Sequence, residues 1–185
     1  MSAVGVATGM SGSVFLRGDD VTLRTIEETD VEFLRDGVND PEVRAGLVTA
    51  KPFNGRQEEA YFEEQVSDDE TVNLLVCADG EPVGTVGLSD IDHHDGNCEI
   101  GIWLASEFHG RGYGTEASRL LTDYAFWELR MHRVLARVLA PNEASARIWE
   151  KLDFREEGVH REEAFKDGEY VDMRYFAVLE DEWTE

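Results

Sequence analysis

Residue types that can do chemistry are concentrated in one stretch of this chain, Asn97–Thr115, which reads NCEIGIWLASEFHGRGYGT. Gly110, Gly112 and Gly114 alternate with Arg111 and Tyr113 between a strand-like run and a helix-like one. Glycine lets successive backbone N–H groups turn toward one point and lets a ligand approach the backbone closely. A helix that starts at once adds its free N–H groups and its positive dipole end. Together these predict a cradle for a pyrophosphate. A plain structural turn would use the same residues, and dinucleotide and nucleotide folds use the same physics. The sequence narrows the choice. It has no Gly-Lys-Ser/Thr and no Gly-x-Gly-x-x-Gly, and the loop follows three strands instead of opening a βαβ unit.

Two further groups stand out. Glu99 alternates with Gly101 and Trp103, on the strand face opposite Cys98, Ile100, Ile102 and Leu104. A carboxylate in mid-strand is expensive unless it is paired or working. It could orient an amine, relay its proton through water, or form a structural salt bridge. Asn142, Ser145 and Trp149 fall at i, i+3 and i+7 and share one stripe of a helix; capping or solvent contact would explain Ser145 as well. His93 and His94 read as exposed turn residues. Cys77 and Cys98 lack metal-ligand or redox spacing and read as small buried hydrophobes. With no His, Cys and carboxylate cluster at ligand spacing, no metal is expected.

The elements that must position these groups follow from periodicity. Val14–Arg17 and Val21–Thr25 read as strands, Asp30–Val38 and Pro41–Ala45 as short helices, and Gln57–Val66 as a third, acidic helix. Val72–Ala78, Pro82–Ser89 and Asn97–Leu104 read as strands joined by hairpins at Asp79-Gly80 and Asp95-Gly96. Gly114–Arg130 is helical, with Ala117, Leu120, Leu121, Tyr124 and Trp127 on one face. Arg133–Ala140 is a strand, and Asn142 caps a helix that runs to about Leu152. Phe154–Val159 and Tyr170–Leu179 close the pattern as strands around Asp167-Gly168. This order predicts an α+β fold, a mixed sheet with helices on both faces. The division expected is a frayed Gly/Ser/Ala tail over residues 1–12 and one domain over 13–185, with no secretory signal.

Charge limits the partners. Forty acidic residues stand against 17 basic ones, a net charge of −23, and only Lys51, Lys151 and Lys166 are lysines. Duplex DNA and anionic lipid lack the cationic surface they need, and no run of 18 apolar residues marks a membrane span. The acid is spread along the chain. This suits either a basic partner or, better, the salt-rich cytoplasm of an extreme halophile, where self-repulsion is screened. Between Glu107 and Arg155 eight basic residues meet seven acidic ones. The segment carrying the glycine loop is therefore the one least hostile to a polyanion.

His109-Gly110-Arg111-Gly112-Tyr113-Gly114 resembles the acetyl-CoA signature of the GNAT superfamily of N-acetyltransferases, Gln/Arg-x-x-Gly-x-Gly/Ala. The longer strings EIGIWLASEFHGRGYGTEA, Pro141-Asn142-Glu143-Ala144-Ser145 and DGEYVDMRYFAVLEDEW, over about residues 14–183, resemble its ribosomal-protein N-terminal acetyltransferase branch (RimJ/RimL-like). Two positions depart: His109 replaces Gln or Arg, and Asp153 replaces the branch's Gly at a helix end. The resemblance implies a GNAT fold with a mostly antiparallel sheet splayed between the strands at about 97–104 and 133–140. It implies acetyl-CoA as cosubstrate, held by Ile102, Trp103, Leu104, His109, Gly110, Arg111, Gly112, Tyr113, Gly114, Thr115, Asn142 and Ser145. Many members place a tyrosine at the Trp149 position to protonate the departing thiolate. Tryptophan cannot do this, and the branch assigns that role to a serine at the Ser145 position. Ser145 and Glu99 are thus the expected catalytic residues. The acceptor implied is a primary amine, first a protein or peptide N-terminus. A small amine (polyamine, amino acid or aminoglycoside) is the second reading, and a CoA-binding module without catalysis the third. A cytoplasmic enzyme is expected, and a homodimer is compatible with it.

The acidity carries its own prediction. If it is an adaptation to salt, Tm should climb steadily with KCl from low to molar concentration as repulsion is screened. A flat curve would rule that reading out.

Overall fold

The computed structural model describes residues 12–48, 51–61 and 71–183. The expected tail lies outside them except for Gly12, whose carbonyl accepts from Arg24 Nε at 3.2 Å. The second half of the expected Gln57–Val66 helix also lies outside.

Eight strands form one sheet in the order β1-β2-β3-β4-β5-β6-β8-β7. They are β1 Val14–Arg17, β2 Val21–Thr25, β3 Val72–Ala78, β4 Glu81–Asp92, β5 Asn97–Leu104, β6 Arg133–Leu139, β7 Arg155–Lys166 and β8 Glu169–Leu179. Every neighbouring pair is antiparallel except β5 with β6, which is parallel. The helices are α1 Val31–Asn39, α2 Pro41–Ala45, α3 Gly55–Tyr61, α4 Tyr113–Trp127 and α5 Glu143–Lys151. No helix among the described residues is long and apolar enough to cross a membrane.

The period-two strands bury one face against α4 and α5. Val86, Cys98, Ile100, Val134, Ala136 and Val138 meet Ala117, Leu121, Ala125 and Trp149 there. On the opposite face α1 packs near β3 and β5, where Ile26, Leu34, Leu75 and Cys77 cluster with Phe33 and Trp103. Phe33 stacks on Trp103 with ring centroids 5.7 Å apart. Gly37 lies so close that a Cβ there would fall 2.2 Å from the Trp103 ring. This fixes the tryptophan in place.

The buried stripe of α4 differs from the expected one in one large residue. Ala125 and Phe126 are buried, whereas Trp127 is 66 % exposed. Helix α4 stops at Trp127, three residues before the expected Arg130, which has left-handed backbone (φ +58°). Strands β4 and β7 run longer than their apolar patterns, to Asp92 and Lys166, because ladder hydrogen bonds continue after the core ends. All three Asp-Gly turns join neighbouring strands; φ is positive at both residues of Asp79-Gly80 and Asp167-Gly168, whereas at Asp95-Gly96 only Gly96 takes it. Both cysteines are buried and free. Burial pushes the Cys77 thiol up to about 11 and the Cys98 thiol up to about 12, so both stay protonated at neutral pH.

Asp153 ends α5 in the left-handed region, with φ +59°. That conformation costs an L residue roughly 1–2 kcal/mol, while glycine costs roughly 0.5–1 kcal/mol in chain entropy. Asp153→Gly should therefore stabilise the fold by up to about 1 kcal/mol, a Tm rise of a few degrees at most. A fall in Tm would show that the aspartate side chain does something the backbone does not require.

Candidate active site

β5 and β6 pair only at Asn97↔Arg133, Cys98↔Val134 and Glu99↔Leu135. Beyond that point β5 stays with β4 through Leu104, and β6 stays with β8 through Leu139. The facing edges of the two strands separate, and each keeps a row of backbone groups with no strand partner across the gap. Such an edge is ready to take strand-like hydrogen bonds from a ligand. A cleft of about 720 Å³ fills the wedge. Ile102, Trp103 and Leu104 line it from β5, and His109, Gly110 and Gly112 from the loop. Tyr113, Gly114 and Thr115 line it from α4, and Asn142, Ser145, Arg147, Ile148 and Lys151 from α5 and its cap.

The loop has the geometry its glycines predict. Gly110 and Gly112 take φ +74° and +91°, and a Cβ on either would meet nothing within 4 Å. Gly112 is the N-cap of the 15-residue helix α4 and offers no side chain to the first-turn N–H groups. These groups are left for a ligand, and the helix dipole favours an anion there. Positive charge comes from Arg147 and Lys151, one turn apart on α5 and outside any ion pair among the described residues. Other cations of the less acidic segment are committed elsewhere: Arg119 to Asp123 (3.1 Å), Arg133 to Glu157 (2.5 Å) and Arg155 to Glu182 (2.7 Å). A polyanionic cofactor arm with an extended amide chain fits this site.

Most of the expected cofactor residues meet in the cleft, with three qualifications. Arg111 is outside the lining, and its guanidinium sits over the Phe108 ring at 5.4 Å. His109 lines the cleft, but its Nε2 donates to the Leu104 carbonyl at 2.9 Å. The histidine thus ties the loop to the end of β5. Asn142 caps α5, its Oδ1 accepting from Ser145 N at 3.1 Å, while its Nδ2 reaches Gly46 O at 3.4 Å. The stripe expected along α5 breaks at its last member. Ser145 lines the cleft, but Trp149 is 2 % exposed and packs on Phe154 in the core, its indole N–H without a hydrogen-bond partner among the described residues.

Glu99 sits where β5 and β6 part. Its Oε2 lies 2.7 Å from Arg137 Nε, across the opening gap. This contact raises the Arg137 pKa, chiefly through the hydrogen bond. The paired alternative for Glu99 is therefore realised. His93 and His94 lie exposed in the turn. No group of three His, Cys, Asp or Glu among the described residues is arranged to hold a metal.

The sequence places Arg147 and Lys151 among the eight cations of the less acidic segment without singling them out; their i, i+4 spacing beside Ser145 is the signal that would have done so. It does not single out Lys166 either, for which no local signal exists. From the tip of the β7–β8 hairpin, Lys166 Nζ donates to Arg44 O (2.5 Å) and Leu47 O (2.8 Å), tying the hairpin to the end of α2 beside the cleft.

A second cavity of about 400 Å³ lies under α1, on the other side of Trp103. It shares Leu47, Ile102 and Trp103 with the larger cleft, so the two spaces meet at that tryptophan. A large cavity that suits a pyrophosphate-bearing thioester, joined to a smaller one, is the arrangement a two-substrate acyl transfer needs. The sequence matches the family described as "Acetyltransferase (GNAT) domain" over residues 20–155, and the chain belongs to that family. It is 31 % identical to "Putative ribosomal N-acetyltransferase YdaF" of Bacillus subtilis, over 89 % of this chain and 94 % of that one. Spermidine N(1)-acetyltransferase of Escherichia coli is 29 % identical over 81 % of each chain. The crystal structure of spermidine N-acetyltransferase from Vibrio cholerae, in complex with CoA and spermine, shares the fold. Its TM-score is 0.84 at 23 % identity, covering 89 % of this chain and 98 % of that one. The protein is thus an acetyl-CoA-dependent N-acetyltransferase, and the reading as a CoA-binding module without catalysis is set aside.

Removing both free cations of α5 tests the cofactor assignment. Arg147→Ala/Lys151→Ala should weaken acetyl-CoA binding about ten- to a hundredfold by calorimetry, and the remaining affinity should depend less on salt. Both side chains lie at the cleft surface, so the fold should survive. An affinity within twofold of the parent would contradict the assignment.

Proposed function

We propose that this acetyltransferase acts on the α-amine at the N-terminus of a protein or peptide, as the ribosomal-protein branch does. One observation carries the reading: none of the described residues that line the smaller cavity titrates. An acceptor entering there meets no base on the described walls, and its proton can leave only through water toward Glu99 outside them, so an amine already largely neutral is favoured. An α-amine, with a pKa near 7.7–8.0, is roughly a few hundredfold richer in the neutral form at pH 7 than a lysine or polyamine amine near 10.4. The likeness to YdaF supports the same choice, whereas the spermidine acetyltransferases support the small-amine reading. A polyamine would need carboxylates that the described lining does not offer.

The neutral amine attacks the thioester carbonyl carbon, the C–S bond breaks, the nitrogen loses a proton and the CoA thiolate gains one. Positioning at the junction by Trp103 supplies much of the rate. In this reading Ser145, on the cleft wall, hydrogen-bonds the departing sulfur or passes it a proton from water. Glu99, on the Gly101 and Trp103 face of β5, takes up the amine proton through water while Arg137 holds its carboxylate in place. Acetyl-CoA use suits the cytoplasm, and the spread of acid suits high salt. A homodimer would cover the exposed aromatic pair Phe165 and Tyr170 at the β7–β8 tip.

Kinetics of two variants test the roles. Ser145→Ala should lower kcat about ten- to a hundredfold, the low end of general-acid contributions, while acetyl-CoA affinity stays the same. Glu99→Gln should impair amine use, with a defect that shrinks between pH 6 and 9 as more acceptor is already neutral. A fully active Ser145→Ala enzyme would leave solvent as the proton donor, and a pH-independent Glu99→Gln defect would make that residue structural.

A further inference from the structure

The smaller cavity is more than an entry for an amine, because its walls specify what the amine is attached to. Leu34 and Val38 of α1, Phe53, and Trp103 of β5 form apolar walls. The polar members beside them include Thr85 and Ser89, and every described polar member is uncharged. The floor is a pair of glycines facing each other across the β4–β5 ladder, Gly87↔Gly101. A Cβ added at Gly87 would press on Val72 O at 2.9 Å, so that glycine is required by packing. A Cβ added at Gly101 would meet nothing within 4 Å. Packing does not require Gly101 to lack a side chain; the space above it is part of the cavity. Nearby, Glu99 pairs across the ladder with Ser89 but is engaged by Arg137 at 2.7 Å.

We infer that this cavity receives the first side chain of the acceptor and selects an uncharged, apolar one, with Gly101 setting its depth. The inference rests on the α-amine reading above. No described lining residue offers a charge partner, so Asp, Glu, Lys or Arg at the first position is disfavoured by desolvation. An apolar side chain gains by leaving water, and Gly101 leaves room for one the size of leucine or methionine. Because the cavity meets the cofactor cleft at Trp103, a side chain lodged in it leaves the adjacent amine beside the junction.

The test uses the full chain with acetyl-CoA and peptides identical except for the first residue, assayed by thiol release, with spermidine in parallel. Peptides beginning with Leu or Met should exceed those beginning with Asp, Glu, Lys or Arg by about ten- to a hundredfold in kcat/KM. In Gly101→Leu, acetyl-CoA affinity should be unchanged and peptides beginning with Gly or Ala should remain substrates. Those beginning with Leu or Met should lose at least tenfold. The size-dependent loss separates a filled pocket from a general defect. Peptides that are acetylated without regard to charge, or a Gly101→Leu enzyme impaired equally toward all of them, would overturn the inference and leave the α-amine reading standing. Turnover of spermidine with none of the peptides would overturn the α-amine reading itself.

Discussion

The parting of two parallel strands is the constraint on which the site depends. β5 and β6 share three residue pairs and then diverge, each following its antiparallel neighbour. A sheet normally satisfies its interior backbone groups strand to strand. Here two edges inside the sheet are left facing a gap, and that gap is the proposed cofactor cleft. The Glu99–Arg137 ion pair spans the gap just where it opens. Glu99 is only 18 % exposed, so removing one partner would leave the other partly desolvated and unpaired. The pair acts as a cross-brace at the apex of the wedge.

Each element around the wedge acts on this opening. The left-handed glycines at 110 and 112 turn the chain from β5 into α4 so that an uncapped helix start faces the cleft. His109 anchors that turn to Leu104 O. Glu116, in the first turn of α4, accepts from Asp20 N at 3.0 Å and fixes the helix to the β1–β2 turn. On the far wall Asn142 starts α5 and also reaches Gly46, while Lys166 ties the β7–β8 hairpin to the same segment. Three parts of the chain far apart in sequence therefore meet at the mouth of the cleft.

The local part of this arrangement was legible in the sequence. The Asp-Gly hairpins, the glycine loop and the Asn142 cap each depend on a few adjacent residues. The resemblance supplied the splay between the strands. What could not be read depends on distant neighbours. Trp127 and Phe126 are adjacent on α4, and only the sheet beneath decides which one is buried. Trp149 shares a helical stripe with Ser145, yet it lies at the end buried by Phe154. Glu99 could be classed as paired or working, but its partner Arg137 lies 38 positions on in another strand. Lys166 is one exposed hairpin residue until the fold brings it to the carbonyls of Arg44 and Leu47.

In the proposed reading acetyl-CoA completes the interrupted sheet, taking hydrogen bonds along the open edge of β5 and at the start of α4. Amide hydrogen exchange measured with and without acetyl-CoA addresses it directly. The account predicts added protection at Ile102–Leu104 and at Tyr113–Thr115 when the cosubstrate is bound, with little change in β1–β3. Binding that leaves both segments exchanging as in the free protein would contradict it.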